Sequence, residues 1–356
     1  MTHMFVPGPV DVAPEVLAAQ TKPMLPHRSK DFEAIFRGTE EKAKQLFYTQ
    51  TRIFQAASSG SGMQEAGIRN FVQKDVLSCI NGAFAQRWYD VAVANGKTAD
   101  KLEVEFGEAI TPDMLRDALK KKNYEAVTIV HNETSTGVEN PLADLCKTVQ
   151  EVSPDTLILV DAVSSLGGVK IEMDKLGVDF LLTSSQKCLA LPPGLALASA
   201  SDRAMKKAES VTNRGWYFDL LLMEKHRLKD STPMTPGMAL IYALDCQLDR
   251  ILAEGLENRF KRHADMAKYV QDWGIAHGME PLAPEGYRSR TVSTINNSRG
   301  MDIAALNKFL TQRGMRIANG YGALKDKTFR IAHMGEIQMS DCETLTGYME
   351  EFLGQM

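Results

Sequence analysis

An α/β fold is what this sequence predicts: a large domain built on a mostly parallel central sheet with helices on both faces, then a small α+β domain at the C-terminal end. Three observations carry the prediction. Between about residues 50 and 200, short apolar runs alternate with segments of helical spacing, the order from which parallel sheets with crossover helices are made. Two of these runs, Leu159-Val160-Asp161 and Val178-Asp179-Phe180-Leu181-Leu182, pass directly into polar groups, as a buried parallel strand does at the rim of a sheet. Beyond Gly237 the pattern changes to a long helical stretch and then to strand, helix, strand, helix. At 356 residues the chain is also too long for one small core.

Residues 1–32 are rich in proline and lack periodicity, so they read as an extended arm that is functional or docked on a partner. Helical spacing runs over 32–46. Residues 52–58 alternate into a strand that meets Ser59-Gly60-Ser61-Gly62, and 63–72 is helical again. A strand, a Ser/Gly turn and a helix start place N–H groups and hydroxyls at the positive end of a helix dipole, which makes a phosphate cradle. A strand follows at 75–80, a helix at 84–95 and a strand at 101–106, and Thr111 caps a helix that Pro112 opens. Residues 126–131 form an apolar strand ending in a polar loop, Asn132 to Gly137, and 195–200, after Pro192-Pro193-Gly194, form another strand. A loop at 231–236 leads into helical periodicity from 237 to about 277, interrupted at Gly255. Strands at 291–296 and 328–333 and helices at 302–313 and 340–353 complete the chain. The expected division is an arm over 1–30, a large domain over 31–250 and a small domain over 251–356.

Composition narrows the function. With 44% hydrophobic and 24% charged residues and a net charge of -4, the chain carries no basic nucleic-acid footprint, which leaves small molecules as the expected partners. No stretch reaches the roughly 18 apolar residues of a membrane helix, and no basic-then-apolar leader opens the chain, so neither a membrane partner nor export is expected and the location predicted is cytoplasmic. Five scattered cysteines without a Cys-x-x-Cys pair indicate neither a disulfide framework nor a zinc site, and no metal is expected.

Chemistry concentrates at the two strand ends. Asp161 and Lys187 delivered to one rim suit pyridoxal phosphate, whose aldehyde condenses with a lysine amine and whose pyridine nitrogen keeps its proton against a carboxylate. Taken singly, each has a plainer reading, Lys187 as a surface lysine and Asp161 as a helix cap. Arg330, between Phe329 and Ile331 on a strand, needs an anion; a substrate carboxylate and an internal salt bridge both satisfy that need. Phe84 stands at a helix start, where it either stacks on a cofactor ring or belongs to the core. Gly60, Gly62 and Gly67 imitate a dinucleotide fingerprint with the third glycine displaced, which keeps a nicotinamide oxidoreductase as a rival, although no Asp or Glu follows over 77–84 to bind a ribose. Cys188 reads as a small packing residue.

Taken together, these stretches carry a family. The chain resembles class V pyridoxal-phosphate aminotransferases of the alanine/serine–glyoxylate (serine–pyruvate) branch over nearly its whole length. The matching stretches include Pro7-Gly8-Pro9, Ser59-Gly60-Ser61 with Glu65, Gly82-Ala83-Phe84-Ala85-Gln86-Arg87, His131 to Val138, Leu159 to Gly168, Ser185-Gln186-Lys187, Pro192-Pro193-Gly194, Thr232 to Pro236, Gly255 to Asn258 and Arg330-Ile331. The resemblance implies an aspartate-aminotransferase-like (fold type I) architecture and a set of roles. Lys187 would bind the cofactor covalently, Asp161 would pair with the pyridine nitrogen, Val163 would pack on the ring, and Phe84, where the family commonly has a tryptophan, would stack on the opposite face. Thr134 would meet the ring hydroxyl, while Ser59, Gly60, Ser61 and Gln186 would hold the phosphate. Thr232 and Thr235 would lend phosphate contacts to a second subunit, making a homodimer with shared active sites. Arg330 would clamp the substrate carboxylate, and Gly8 and Pro9 would line the substrate pocket.

The activity implied is ping-pong transamination between serine or alanine and glyoxylate or pyruvate. His27-Arg28-Ser29-Lys30 resembles a substrate-phosphate site of phosphoserine aminotransferases, so phosphoserine with 2-oxoglutarate is the alternative on the same fold. The other reading of His27 and Arg28 is that they order the arm at a dimer interface.

Overall fold

The computed structural model describes residues 3–355. In chain order the strands are β1 (His3–Phe5), β2 (Phe54–Ala57), β3 (Asp75–Ile80), β4 (Thr98–Glu103), β5 (Ala126–Val130), the two-residue pair β6 (Asn132–Glu133) and β7 (Val138–Glu139), β8 (Leu157–Asp161), β9 (Phe180–Ser184), β10 (Leu195–Ala200), β11 (Val292–Asn296), β12 (Met315–Asn319) and β13 (Thr328–Ala332). Seven of them form the central sheet, in the order β2-β10-β9-β8-β5-β3-β4. All are parallel except β10, which runs against both of its neighbours.

Every residue of β5, β8, β9 and β10 is buried, which explains why these strands read as unbroken apolar runs. Ile158 and Val160 pack into the core on one face with Ile129 and Leu181, while Leu159 turns to the other with Trp88, Phe71 and Phe180. Because β8 and β9 are parallel neighbours, with Asp161 level with Leu182, their C-terminal ends open on one rim. That rim is where open α/β sheets bind ligands.

The second sheet has the order β1-β12-β13-β11. The helix Leu256–Ala276 packs against it through Met266 and Val270, as do Ile303–Thr311 through Leu306 and Leu310 and Met339–Leu353 through Leu345 and Met349. The helical stretch after Gly237 divides as its glycine predicts, into Met238–Glu254 and Leu256–Ala276 around Gly255 at φ +84°. No described helix is long and apolar enough to cross a membrane.

Several expectations need correction. The first thirty residues are not an irregular arm: β1 adds a parallel strand to β12, and Pro14–Ala19 is a helix with proline in its first turn and Val16 and Ala19 buried. A three-residue strand has no periodicity of its own; its partner, more than three hundred residues away in sequence, defines it. The strand expected at 101–106 lies at Thr98–Glu103, because pairing with β3, from Asp75 against Thr98 to Ile80 against Glu103, sets its register. It is an edge strand with every residue at least partly exposed, so its own side chains say little. The helices Leu142–Val152, Asp202–Ser210 and Leu220–Arg227 and the strand β12 were not anticipated at all.

Candidate active site

Asp161 ends β8 with its side chain buried in the floor of a cleft at the sheet rim. Oδ1 accepts from Val163 N at 2.8 Å and Oδ2 from Gln64 Nε2 at 2.7 Å. Burial pushes the carboxyl up to about 6; the two hydrogen bonds oppose this, the nearby Glu133 adds to it and Lys187 offsets part of it. A cation placed against Asp161 would restore its charge, and a protonated pyridine nitrogen is such a cation.

Three residues beyond β9, Lys187 enters the same cleft, only 8% exposed. Its Nζ donates to the carbonyl oxygen of Pro7, so the N-terminal segment closes over the amine. Gly8, at φ +91°, makes this possible: a Cβ there would lie 2.6 Å from Lys187 Cδ. Burial first, then the charge of Arg330, lowers the ammonium to about 8. Between that value and 10.5 the folded protein binds fewer protons than the unfolded chain, so this group's contribution to stability rises with pH across that window. For reactivity the consequence lies lower: roughly one lysine in ten is neutral at pH 7, against fewer than one in about a thousand for an ordinary lysine. Capture of pyridoxal phosphate by ligand-free protein, followed by stopped-flow absorbance, is expected to accelerate with pH and level off near pH 8. A midpoint near 10.5 would show that burial does not act on this amine.

The cradle forms where β2 gives way to the helix Gly60–Phe71. Ser59 caps that helix, its Oγ accepting from Gly62 N at 3.4 Å. Ser61 Oγ accepts from Arg87 Nη1 at 3.1 Å, which adds a guanidinium to the positive end of the helix. A Cβ on Gly60 would stand 2.5 Å from Val163 Cγ2, so only glycine lets the cradle meet the residue that follows Asp161 by two.

Phe84 lines the cleft from the first turn of the helix Ala83–Ala94, and Arg87 Cζ lies 4.9 Å from its ring centroid. That helix start is held by Glu133, a fully buried carboxylate whose Oε2 accepts from Phe84 N and Ala85 N, both at 3.0 Å. Its Oε1 accepts from Ser135 N at 3.0 Å and Ser135 Oγ at 2.7 Å, and burial raises its proton affinity. Thr134, next in sequence, reaches the cleft with Oγ1 2.6 Å from Ser164 Oγ. Arg330, on β13, is buried and donates only to backbone, Nε to Asn319 O at 3.0 Å and Nη1 to Thr134 O at 3.4 Å. Among the described residues no carboxylate lies within ion-pair distance of it, so the internal salt bridge is not what occupies this guanidinium.

Of the anticipated residues, Ser59, Gly60, Ser61, Phe84, Thr134, Asp161, Val163, Gln186 and Lys187 share this one cleft, and Gly8 touches Lys187. Pro9 is exposed. Thr232 and Thr235 lie elsewhere: Thr232 Oγ1 donates to Met234 O at 2.6 Å beside Phe36, and Thr235 is exposed. His27 and Arg28 are outside the cleft of their own chain, with Arg28 exposed near His226. The Cys188 thiol is buried and pushed up to about 12, as suits a packing residue. Gln64, Asn132, Ser164, Ser184 and the supporting Glu133 were not singled out from sequence. Glu133 sits within a polar stretch, where nothing local sets it apart from its neighbours.

Pyridoxal phosphate fits these groups. Both side-chain atoms of Asn132, Ser184 Oγ and Gln64 Oε1 are buried in the cleft without a partner, although buried polar groups are normally hydrogen-bonded. With a Ser/Gly helix start, a buried carboxylate and a buried amine lining one cleft, the donors match a phosphate, a ring nitrogen and an aldehyde. Fold and cleft together define a fold-type-I pyridoxal-phosphate transferase.

Comparison with known proteins narrows the class. Residues 15–334 match the family described as Aminotransferase class-V. An uncharacterized aminotransferase of Methanocaldococcus jannaschii is 38% identical over 338 residues, 93% of this chain and 87% of the relative. The L-aspartate–glyoxylate aminotransferase of Paracoccus denitrificans is 34% identical over 353 residues, 97% of this chain and 88% of the relative. Among solved structures, the alanine–glyoxylate aminotransferase of Nostoc sp. superposes with a TM-score of 0.93 at 30% identity, covering 99% of this chain and 95% of that one. The chain belongs to the class V aminotransferases and is a pyridoxal-phosphate-dependent transaminase.

Proposed function

We propose that this aminotransferase moves the amino group of serine or alanine to glyoxylate or pyruvate in a ping-pong order. The observation that carries the reading is the unpaired Arg330 guanidinium, buried close enough to Lys187 to lower its proton affinity: an amino acid whose carboxylate rests on Arg330 brings its α-carbon toward the amine. The two relatives named for their substrates both carry glyoxylate in their names, with aspartate in one and alanine in the other.

Pyridoxal phosphate, when bound, supplies an aldehyde for the amino group and a ring that takes up the electron pair left at the substrate α-carbon. Lys187 would hold the cofactor aldehyde through Nζ, and its neutral amine, sheltered by Pro7 and Gly8, would carry the substrate α-proton on Nζ. Asp161, held by Val163 N and Gln64, would place a negative charge against the ring nitrogen. Phe84 and Val163 would hold the ring between them, while Ser59, Gly60, Ser61 and Gln186 would hold the phosphate and Thr134 the ring hydroxyl. Gly8 and Pro9 bring the N-terminal segment over the substrate. Thr232 and Thr235, remote from the cleft of their own chain, complete the cradle of a second copy in a homodimer.

Initial rates with serine or alanine against glyoxylate or pyruvate, beside phosphoserine with 2-oxoglutarate, test the substrate assignment. A hundredfold preference for phosphoserine overturns it. Replacing Arg330 by Gln removes a charged bidentate contact of about 1.5–3 kcal/mol, so KM for both amino and oxo acid is expected to rise roughly 10- to 100-fold while bound cofactor stays constant. An unchanged KM would place the carboxylate elsewhere.

A further inference from the structure

Tyr321, on the loop between β12 and β13, has no part in the roles above. It is 37% exposed, its ring centroid lies 5.4 Å from that of Phe84 at a tilt of 38°, and Arg330 Cζ lies 5.5 Å from the same ring. One aromatic ring therefore meets both the side chain offered to the cofactor and the guanidinium offered to the substrate carboxylate. Both contacts are attractive at these separations.

The loop holds that ring in place. Asn319 Oδ1 accepts from Gly320 N at 2.7 Å and from Asp326 N at 2.9 Å, and Asn319 Nδ2 donates to Asp326 Oδ1 at 2.6 Å. Gly320 N also donates to Thr328 O at 2.9 Å. A Cβ on Gly320 would stand 2.0 Å from Leu324 O, so the turn closes this tightly only around glycine. Tyr321 is thus presented by a knotted turn, tied to the small sheet, against a helix of the large one.

We infer that Tyr321 sets the size limit on the amino donor. With the donor carboxylate on Arg330 and its α-carbon beside Lys187, the donor side chain runs along the wall made by Phe84 and Tyr321. That wall accommodates a side chain the size of alanine or serine and rejects longer unbranched ones. The inference rests on the substrate reading given above. Apolar walls of this kind distinguish single methylenes by about 10- to 200-fold.

The test uses the holoenzyme with glyoxylate as acceptor and alanine, serine, 2-aminobutyrate and norvaline as donors. Tyr321→Ala is expected to raise the ratio of kcat/KM for norvaline to that for alanine at least about tenfold, whereas Tyr321→Phe, which keeps the ring, holds it within about twofold of wild type. Cofactor content and Tm accompany each variant, and Tyr321→Leu replaces the alanine variant if that one does not fold. A ratio unchanged in the ringless variants overturns the inference, as does a wild-type enzyme that already uses norvaline as well as alanine. Failure of the substrate reading looks different: wild type would turn over neither alanine nor serine with glyoxylate, and the inference would fall with it.

Discussion

Replacement of Lys187 by Ala is expected to cut kcat by at least about 10⁴-fold, because in the proposed roles it removes both the amine that would bind the cofactor and the base that would move the α-proton. The fold should survive. In the ligand-free protein the side chain makes one hydrogen bond, to Pro7 O, and its burial disfavours its own charge, so its loss leaves no buried ion unpaired. Borohydride treatment followed by intact-mass and peptide analysis checks the assignment independently of turnover. Wild type should carry the reduced cofactor on the peptide containing Lys187, and the variant should carry none. Label on another lysine, or turnover surviving in the variant, would falsify the role given to this residue.

Asp161→Asn is expected to separate activity from stability. Asparagine keeps the shape and still accepts from Val163 N; its new N–H group meets Gln64, whose Oε1 has no partner and can turn to accept it. Only the charge is lost, and with it the hold on the ring-nitrogen proton that the proposed role gives this carboxylate, so kcat should fall by about 10³-fold or more with cofactor still bound. Stability of the ligand-free protein should move the other way. Because the folded carboxyl is raised to about 6 from an ordinary 3.8, the folded state holds its proton more tightly than the unfolded chain does. Wild type therefore loses stability as pH rises through that interval, by about 1–3 kcal/mol once the group is charged. Ligand-free Asp161→Asn should then melt at a higher temperature than wild type at pH 8 and at the same temperature near pH 3.5. Calorimetry at the two values decides it, and equal melting temperatures at pH 8 would show that the carboxylate is not strained by its burial.

Buried elements were the legible ones. The strand at 75–80 and the strand at 195–200 were read with the bounds they have, and Gly255 was recognised as the break between two helices, because a run buried on both faces or a glycine at a positive φ leaves a local signature. The edge strand Thr98–Glu103 and the three-residue strand His3–Phe5 leave none; their pairing partners define them. In the cleft, Asp161 and Lys187 could be placed together because consecutive parallel strands end on one rim. Glu133 escaped notice because its work, accepting four hydrogen bonds that fix Phe84 and Ser135, depends on a helix start some fifty residues earlier in the chain.

From its residues alone, the chain determined an α/β sheet rim carrying an acid, an amine and a Ser/Gly helix start, since each of these is encoded by a short local pattern that ends a strand or opens a helix. Tertiary structure alone decided how the amine is sheltered and which ring meets both Phe84 and Arg330. Pro7 and Gly8 close over Lys187 across 180 positions of sequence, and Tyr321 reaches Phe84 across more than two hundred. Contacts between segments so far apart are set by tertiary packing, and no local periodicity records them.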